Sequence, residues 1–138
     1  MRIFLDANIL VSVLNKEYPL FTYAARIISL ADNKKFTVFT SPLCLAIAFY
    51  FVEKKSGIQL AKQKIKLLSE KILITAVGKT ELLQALENGQ VNDFEDGIEY
   101  YAAVHNRCEV IVTEDTGDFY FSDFEICKAQ DFLKTYLF

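Results

Sequence analysis

The 138-residue chain lacks several features that would carry a simple assignment. Its one histidine, His105, lies in a helical YYAAVHNR pattern, so a Ser-His-Asp triad has little support. Its three cysteines, Cys44, Cys108 and Cys127, are odd in number and lack CxxC spacing. That argues against a disulfide framework or a zinc ribbon, fits a reducing cytosol, and leaves the thiols as small buried hydrophobes. The longest uninterrupted apolar run in mid-chain, Leu43–Val52, is ten residues, against the roughly 20 that cross a bilayer. The opening MRIFLDAN carries an acid at position 6 and no long apolar region, unlike a secretory signal. Five glycines, two prolines and no Ser/Gly/Pro-rich stretch give no linker, so one domain over 1–138 is expected. Neither GxGxxG nor GxxxxGK[ST] occurs, which disfavours a Rossmann or P-loop nucleotide binder. The expected location is the cytoplasm, with no membrane partner.

What the chain does have is core and an uneven charge. Hydrophobic residues make up 52% and charged residues 24%, enough to fill a core. The net charge of −3 hides a division. Residues 1–90 hold twelve Lys/Arg against seven Asp/Glu, whereas residues 91–125 hold ten acids and one base, Arg107. Like charges at that density repel unless something neutralises them.

Short apolar runs alternate with helical patterns. Strands are predicted at Arg2–Leu5, Phe36–Thr40, Ile72–Val77, Val110–Thr113 and Phe124–Cys127. Helices are predicted at Asn8–Leu14, Leu20–Asp32, Leu43–Lys55, Leu60–Ser69, Thr80–Glu87, Asp93–His105 and Ala129–Tyr136. Ser41-Pro42 supplies an N-cap and a first-turn proline to the third helix, which is apolar enough to be buried nearly all round. Helices between nearly all successive strands, with a loop between the fourth and fifth, argue for parallel pairing with right-handed crossovers and a three-layer α/β/α sandwich. The first and fourth strands are the expected central ones.

Three acidic features sit at element boundaries. Asp6 follows the first strand, Asp115 and Asp118 follow the fourth, and Asp93, Glu95 and Asp96 open a helix. In open parallel sheets, sites form beyond the carboxyl ends of the strands. All three segments fall on that edge, and carboxylates so close do not all stay ionised without a cation. Oxygen donors of this kind suit Mg²⁺ or Mn²⁺, which polarise a phosphodiester and activate water. Each acid also has a plainer reading: Asp6 and Asp93 as helix caps, Asp115 and Asp118 as turn residues. Glu99, Glu109 and Glu125 have no place in such a site and are expected to face water.

With these residues in view, the sequence resembles the PIN-domain family of nucleases, which includes VapC-type toxins. The opening IFLDANIL is similar to its strand-then-Asp-x-Asn start, DFEDGIEYYAA to its Asp-centred third motif, and VIVTEDTGDF to its Thr-x-Asp and Asp-Phe motif. The resemblance covers nearly the whole chain. It implies a five-stranded parallel sheet of order 3-2-1-4-5. It implies a Mg²⁺ or Mn²⁺ site made by Asp6, Asp96 and Asp115, with Asp118 and Asp93 as further contributors. It implies endoribonuclease activity on RNA, a small cognate antitoxin as partner in the toxin branch, and homodimers. In that mechanism Asp118 is an additional ligand or water-orienting base, and the Thr113 hydroxyl serves a carboxylate or a phosphate.

The sequence departs from the family at one point. The usual acid of the helix after the second strand falls around Ala46–Ala48, where no side chain binds metal, and Glu53 lies about two turns further on. Two functions therefore stand: a metal-dependent ribonuclease, or a degenerate PIN-fold module that binds nucleic acid or protein. A response-regulator receiver is disfavoured, since ILITAVGKT offers no phosphoacceptor Asp after the third strand. Lys34, Lys35, Lys54, Lys55, Lys62, Lys64 and Lys66 are candidate phosphate contacts, or simply a solvated face. Phe119-Tyr120-Phe121, with Phe124 nearby, is either core or an exposed loop for an antitoxin segment or a base.

Overall fold

A computed structural model describes residues 1–137; Phe138, the last residue of the expected domain, lies outside the described residues. Five parallel strands, β1 (Arg2–Leu5), β2 (Thr37–Thr40), β3 (Leu73–Ile74), β4 (Val110–Val112) and β5 (Glu125–Cys127), form one sheet of order β3-β2-β1-β4-β5. The helices are α1 (Ala7–Leu14), α2 (Leu20–Ser29), α3 (Pro42–Ser56), α4 (Ile58–Lys71), α5 (Lys79–Glu87), α6 (Phe94–His105) and α7 (Ala129–Tyr136). Ile3 and Phe4 pair with Val38 and Phe39 on one side, and Ile3, Phe4 and Leu5 pair with Val110, Ile111 and Val112 on the other. All of these side chains are buried, so β1 and β4 lie inside the sheet as their apolar runs predict.

The capping signals hold. The Ser41 side chain accepts the Cys44 amide at the start of α3, and Pro42 takes the first turn, where its missing N–H costs nothing. Asp93 accepts the Asp96 amide at the start of α6. Gly57, at φ 87°, provides the left-handed corner that turns α3 into α4.

Several expectations need correction. β3 is two residues, not six, because only β2 lies beside it; Leu73 and Ile74 are half exposed. The end of the second predicted helix, Leu30–Asp32, tightens into a 3₁₀ turn. α3 is not buried all round. It buries Cys44, Ala48 and Val52, a stripe at four-residue spacing, and leaves Tyr50 and Phe51 exposed. Lys55 and Lys64 are not free for phosphates: their Nζ atoms donate to Asn15 O at 2.6 Å and Leu14 O at 2.7 Å. They close the C-terminus of α1, where the backbone carbonyls attract cations.

α5 lies against α6, and Gly97 permits that approach. A Cβ built there would meet Val91 Cγ1 at 2.7 Å and Ala85 Cβ at 2.9 Å. Gly97→Ala is therefore expected to destabilise the fold by roughly 1–3 kcal/mol, the usual cost of overpacking. Urea denaturation measures it; an unchanged midpoint would mean that α5 moves away without cost.

Candidate metal centre at the carboxyl edge

The edge where β1 and β4 end is built by the sheet itself. The Asp6 amide extends the β1–β4 ladder to Val112 O at 3.1 Å, and the Thr113 amide extends the β4–β5 ladder to Cys127 O at 3.0 Å. Asp6 and Thr113 thus leave adjacent strands side by side. Both are buried, and Thr113 Oγ1 donates to Asp6 Oδ2 at 2.8 Å. Asp6 Oδ1 accepts the Ala7 amide at 2.7 Å, so Asp6 caps α1 as well as facing the edge.

Asn8 ties this pair to the next loop. Its Nδ2 donates to Thr113 Oγ1 at 3.1 Å and to Asp115 Oδ2 at 3.2 Å, while its Oδ1 accepts the Glu114 amide at 3.1 Å. The Asp115 amide donates to Thr113 Oγ1 at 3.1 Å. One hydroxyl therefore serves two donors and a carboxylate, a network that fixes Asp6 and Asp115 together. Thr113 carries out the carboxylate role expected of it.

Asp96 and Asp118 complete the edge. Burial first, then Asp93, Asp6 and Asp118, push the Asp96 carboxyl up from 3.8 to about 7. Partial desolvation, then Asp115, Asp6 and Asp93, raise Asp118. The five predicted acids thus act on one another across three segments. Asp6 is buried, Asp96 half-buried, and Asp93, Asp115 and Asp118 face the solvent. Asp93 also performs the capping task that its plainer reading gives it.

The loop holding Asp118 is anchored to the helix holding Asp96. Tyr100 of α6 stacks on Phe124 at 5.2 Å and meets Phe121 edge-on at 5.1 Å, and its hydroxyl accepts the Asp123 amide at 3.1 Å. Phe119 and Phe121 are buried, so the aromatic segment is core rather than an exposed loop; Tyr120 alone of the three is exposed.

Glu99 reverses its expectation. It is 2% exposed, on the inner side of α6 one turn beyond Asp96, and its Oε1 accepts from Cys44 Sγ at 3.1 Å. Burial and the adjacent Asp6 charge hold its carboxyl well above the ordinary range, and burial with Glu99 does the same to the Cys44 thiol. Single donor atoms of Asp6, Cys44 and Glu99 all lie within 4.8 Å of one another. Cys108 and Cys127 are buried free thiols as expected, but Cys44 sits beside this edge. In sequence Glu99 has only apolar company as a signal, Ile98, Tyr100, Ala102 and Ala103, and its burial is settled by tertiary packing. Glu109 and Glu125 do face water. On α3, Ala46 is exposed and Glu53 lies on the surface, so that helix brings no carboxylate to the edge.

This donor set fits a divalent cation. Clustered carboxylates are hard oxygen donors, and Glu99 Oε2 is buried without a hydrogen-bond partner. Beside the acids, an open groove of about 420 Å³ runs from Asn8 and Asp115 past Val11, Leu20, Ile47 and Phe51. Among the described residues, no helix is long and apolar enough to cross a membrane.

Comparison with known proteins places this architecture. The sequence model of a family described as PIN domain matches residues 2–117. No curated protein matches the chain in sequence at a significant level. Among solved structures, the fold is similar to VapBC2 from Rickettsia felis, bound to a DNA fragment from its promoter (TM-score 0.69, 20% identity, 93% of this chain and 98% of that one). It is similar to VapC20 of Mycobacterium tuberculosis, a sarcin-ricin loop cleaving toxin (0.68, 20%, 88% and 95%). VapBC-1 from nontypeable Haemophilus influenzae is a third such structure (0.68, 16%, 94% and 99%).

Proposed function

The chain belongs to the PIN-domain family, and from that premise we propose that it is a divalent-metal-dependent endoribonuclease, the toxin of a toxin-antitoxin pair. The observation that carries the reading is the convergence of Asp6, Asp96, Asp115 and Asp118 on the shared edge of β1 and β4. Asp6, Asp96 and Asp115 are the residues that would hold Mg²⁺ or Mn²⁺, with Asp118 and Asp93 beside them. When bound, such an ion polarises a phosphodiester and lowers the pKa of water. Asp6 is oriented by the Thr113 hydroxyl and the Ala7 amide. Asn8 holds Asp115 in place, and the exposed Asp118 is set to orient water and take up its proton. Lys34, Lys35, Lys54, Lys62 and Lys66, all exposed, remain candidate phosphate contacts.

The apolar groove beside Asn8 and Asp115 supports a protein partner at the same edge, and a small antitoxin is the proposed one, as are a homodimer and a cytoplasmic location. Purified protein is expected to cut RNA with Mn²⁺ and to stop when EDTA is added. Gel analysis of a single-stranded RNA pool reads both. Cleavage that survives EDTA would end the metal-dependent reading. A second reading, a module that binds without cutting, is favoured by one observation, the absence of a carboxylate from α3 at this edge. It predicts RNA retention in a mobility shift with no product.

A further inference from the structure

We propose that Glu99 is a cation ligand of this centre, reaching it from α6 alongside Asp6, with Cys44 as the positioning residue that holds it. The proposal rests on the metal-dependent reading above. It also accounts for the departure of α3 from the family pattern: the acid has changed helices rather than vanished.

Three observations carry it. Glu99 stands three residues after Asp96, and residues at that spacing share one face of a helix. That face therefore presents two carboxylates toward Asp6, the exposed-side Asp96 and the inner Glu99. Second, Glu99 is 2% exposed, no N–H or O–H reaches its Oε2, and its carboxyl lies in hydrogen-bonding contact with the Asp6 carboxylate. Two buried carboxylates in contact with no donor between them repel, and either a shared proton or a cation must join them. The other oxygen is already taken by the thiol on α3, so the free oxygen is the one left for a ligand. Third, the donor atoms of Asp6 and Glu99 lie within 4.8 Å of each other. Two oxygens on opposite sides of one ion stand about 4.2 Å apart, twice a bond of roughly 2.1 Å, so small side-chain adjustments suffice.

Cys44 explains why α3 can lose its acid. Its backbone is fixed at the start of the helix by the Ser41 cap, and its S–H reaches Glu99 Oε1 at 3.1 Å. The helix thus contributes a donor that orients a carboxylate in place of a carboxylate of its own. The plainer competitor is a neutral core acid that shares a proton with Asp6 and meets no cation.

The test measures Mn²⁺ affinity of the whole protein without RNA, by the electron-spin-resonance signal of free Mn²⁺. Compared are wild type, Asp6→Asn, Glu99→Gln, Cys44→Ser and Cys44→Ala. As a ligand, Glu99 gives an at least tenfold weaker affinity in Glu99→Gln, since even groups that only support metal ligands cost 10–100-fold. Cys44→Ser, which keeps a donor, holds affinity near wild type, whereas Cys44→Ala weakens it. Unchanged Mn²⁺ affinity in Glu99→Gln, with loss in Asp6→Asn, overturns the proposal and leaves the metal-dependent reading standing. No Mn²⁺ binding by wild type overturns both. Equal affinity in Cys44→Ala overturns the positioning role. Should Glu99→Gln fail to fold by circular dichroism, Glu99→Asp asks the same question. It keeps the charge and withdraws the carboxylate by one methylene, so weakened binding supports the proposal and wild-type binding overturns it.

Discussion

Asp6→Asn is expected to reduce RNA cleavage by roughly 10²–10³-fold while leaving the fold intact. The magnitude follows from the several kcal/mol that a bound metal supplies to charge stabilisation, at 1.36 kcal/mol per tenfold in rate. Asp6 is the residue on which the other acids converge: its charge acts on Asp96, Glu99, Asp118 and Cys44. An amide keeps one oxygen for the Ala7 amide, so the α1 cap survives, while its NH2 replaces the oxygen that accepts the Thr113 hydroxyl. Cleavage assays with Mn²⁺, paired with urea denaturation, separate the two effects. A variant that cuts RNA as fast as wild type would remove Asp6 from the reaction and with it the proposed mechanism.

Asp96→Asn has the second large effect, and it has two signs. Cleavage falls, by an amount similar to that for Asp6→Asn, because a proposed ligand is lost. Stability in the absence of metal rises. The folded Asp96 titrates near 7 against 3.8 for an ordinary Asp, so between these values the folded state keeps a proton that the unfolded chain has released. Wild-type stability without metal therefore declines as pH climbs from about 4 to about 7, then levels off with respect to this group. The full shift corresponds to about 4 kcal/mol; halved for the partial exposure of Asp96, roughly 2 kcal/mol remains. Asp96→Asn is expected to flatten that slope and to exceed wild type by about this amount above pH 7. Denaturation in EDTA-containing buffers from pH 4 to 8 checks it. A variant no more stable than wild type at pH 8 would show that Asp96 bears no electrostatic strain.

The opposed signs express one physical fact. Acids gathered at one edge repel one another when no cation neutralises them, and the fold bears that cost where the buried apolar runs Ile3–Leu5 and Val110–Val112 end.

Much of this edge was legible in the sequence, for local reasons. Asp6, Asp115 and Asp118 sit at the ends of apolar strands, and strand ends in a parallel sheet share one edge. Ser41-Pro42 and Asp93 mark helix starts through capping chemistry that needs no tertiary context. α7 runs over the expected Ala129–Tyr136. The failures are all long-range. Glu99 reads as a solvated acid until α3 is packed over it. Lys55 and Lys64 read as a basic face until α1 ends beneath them. Phe119 and Phe121 read as either loop or core, and the packing of Tyr100 decides for core. α3 reads as fully buried because composition does not say that only its Cys44–Ala48–Val52 stripe meets other elements.

The stacking of Tyr100 on Phe124, with the Asp123 amide on the Tyr100 hydroxyl, has a thermodynamic consequence. Ordering a residue costs about 1–2 kcal/mol in backbone entropy. For the segment bearing Asp115 and Asp118, that cost is met when the chain folds rather than when anything binds. Association at this edge thus requires no coupled folding of residues 114–124. Its heat-capacity change then reflects only the surface that the incoming molecule covers.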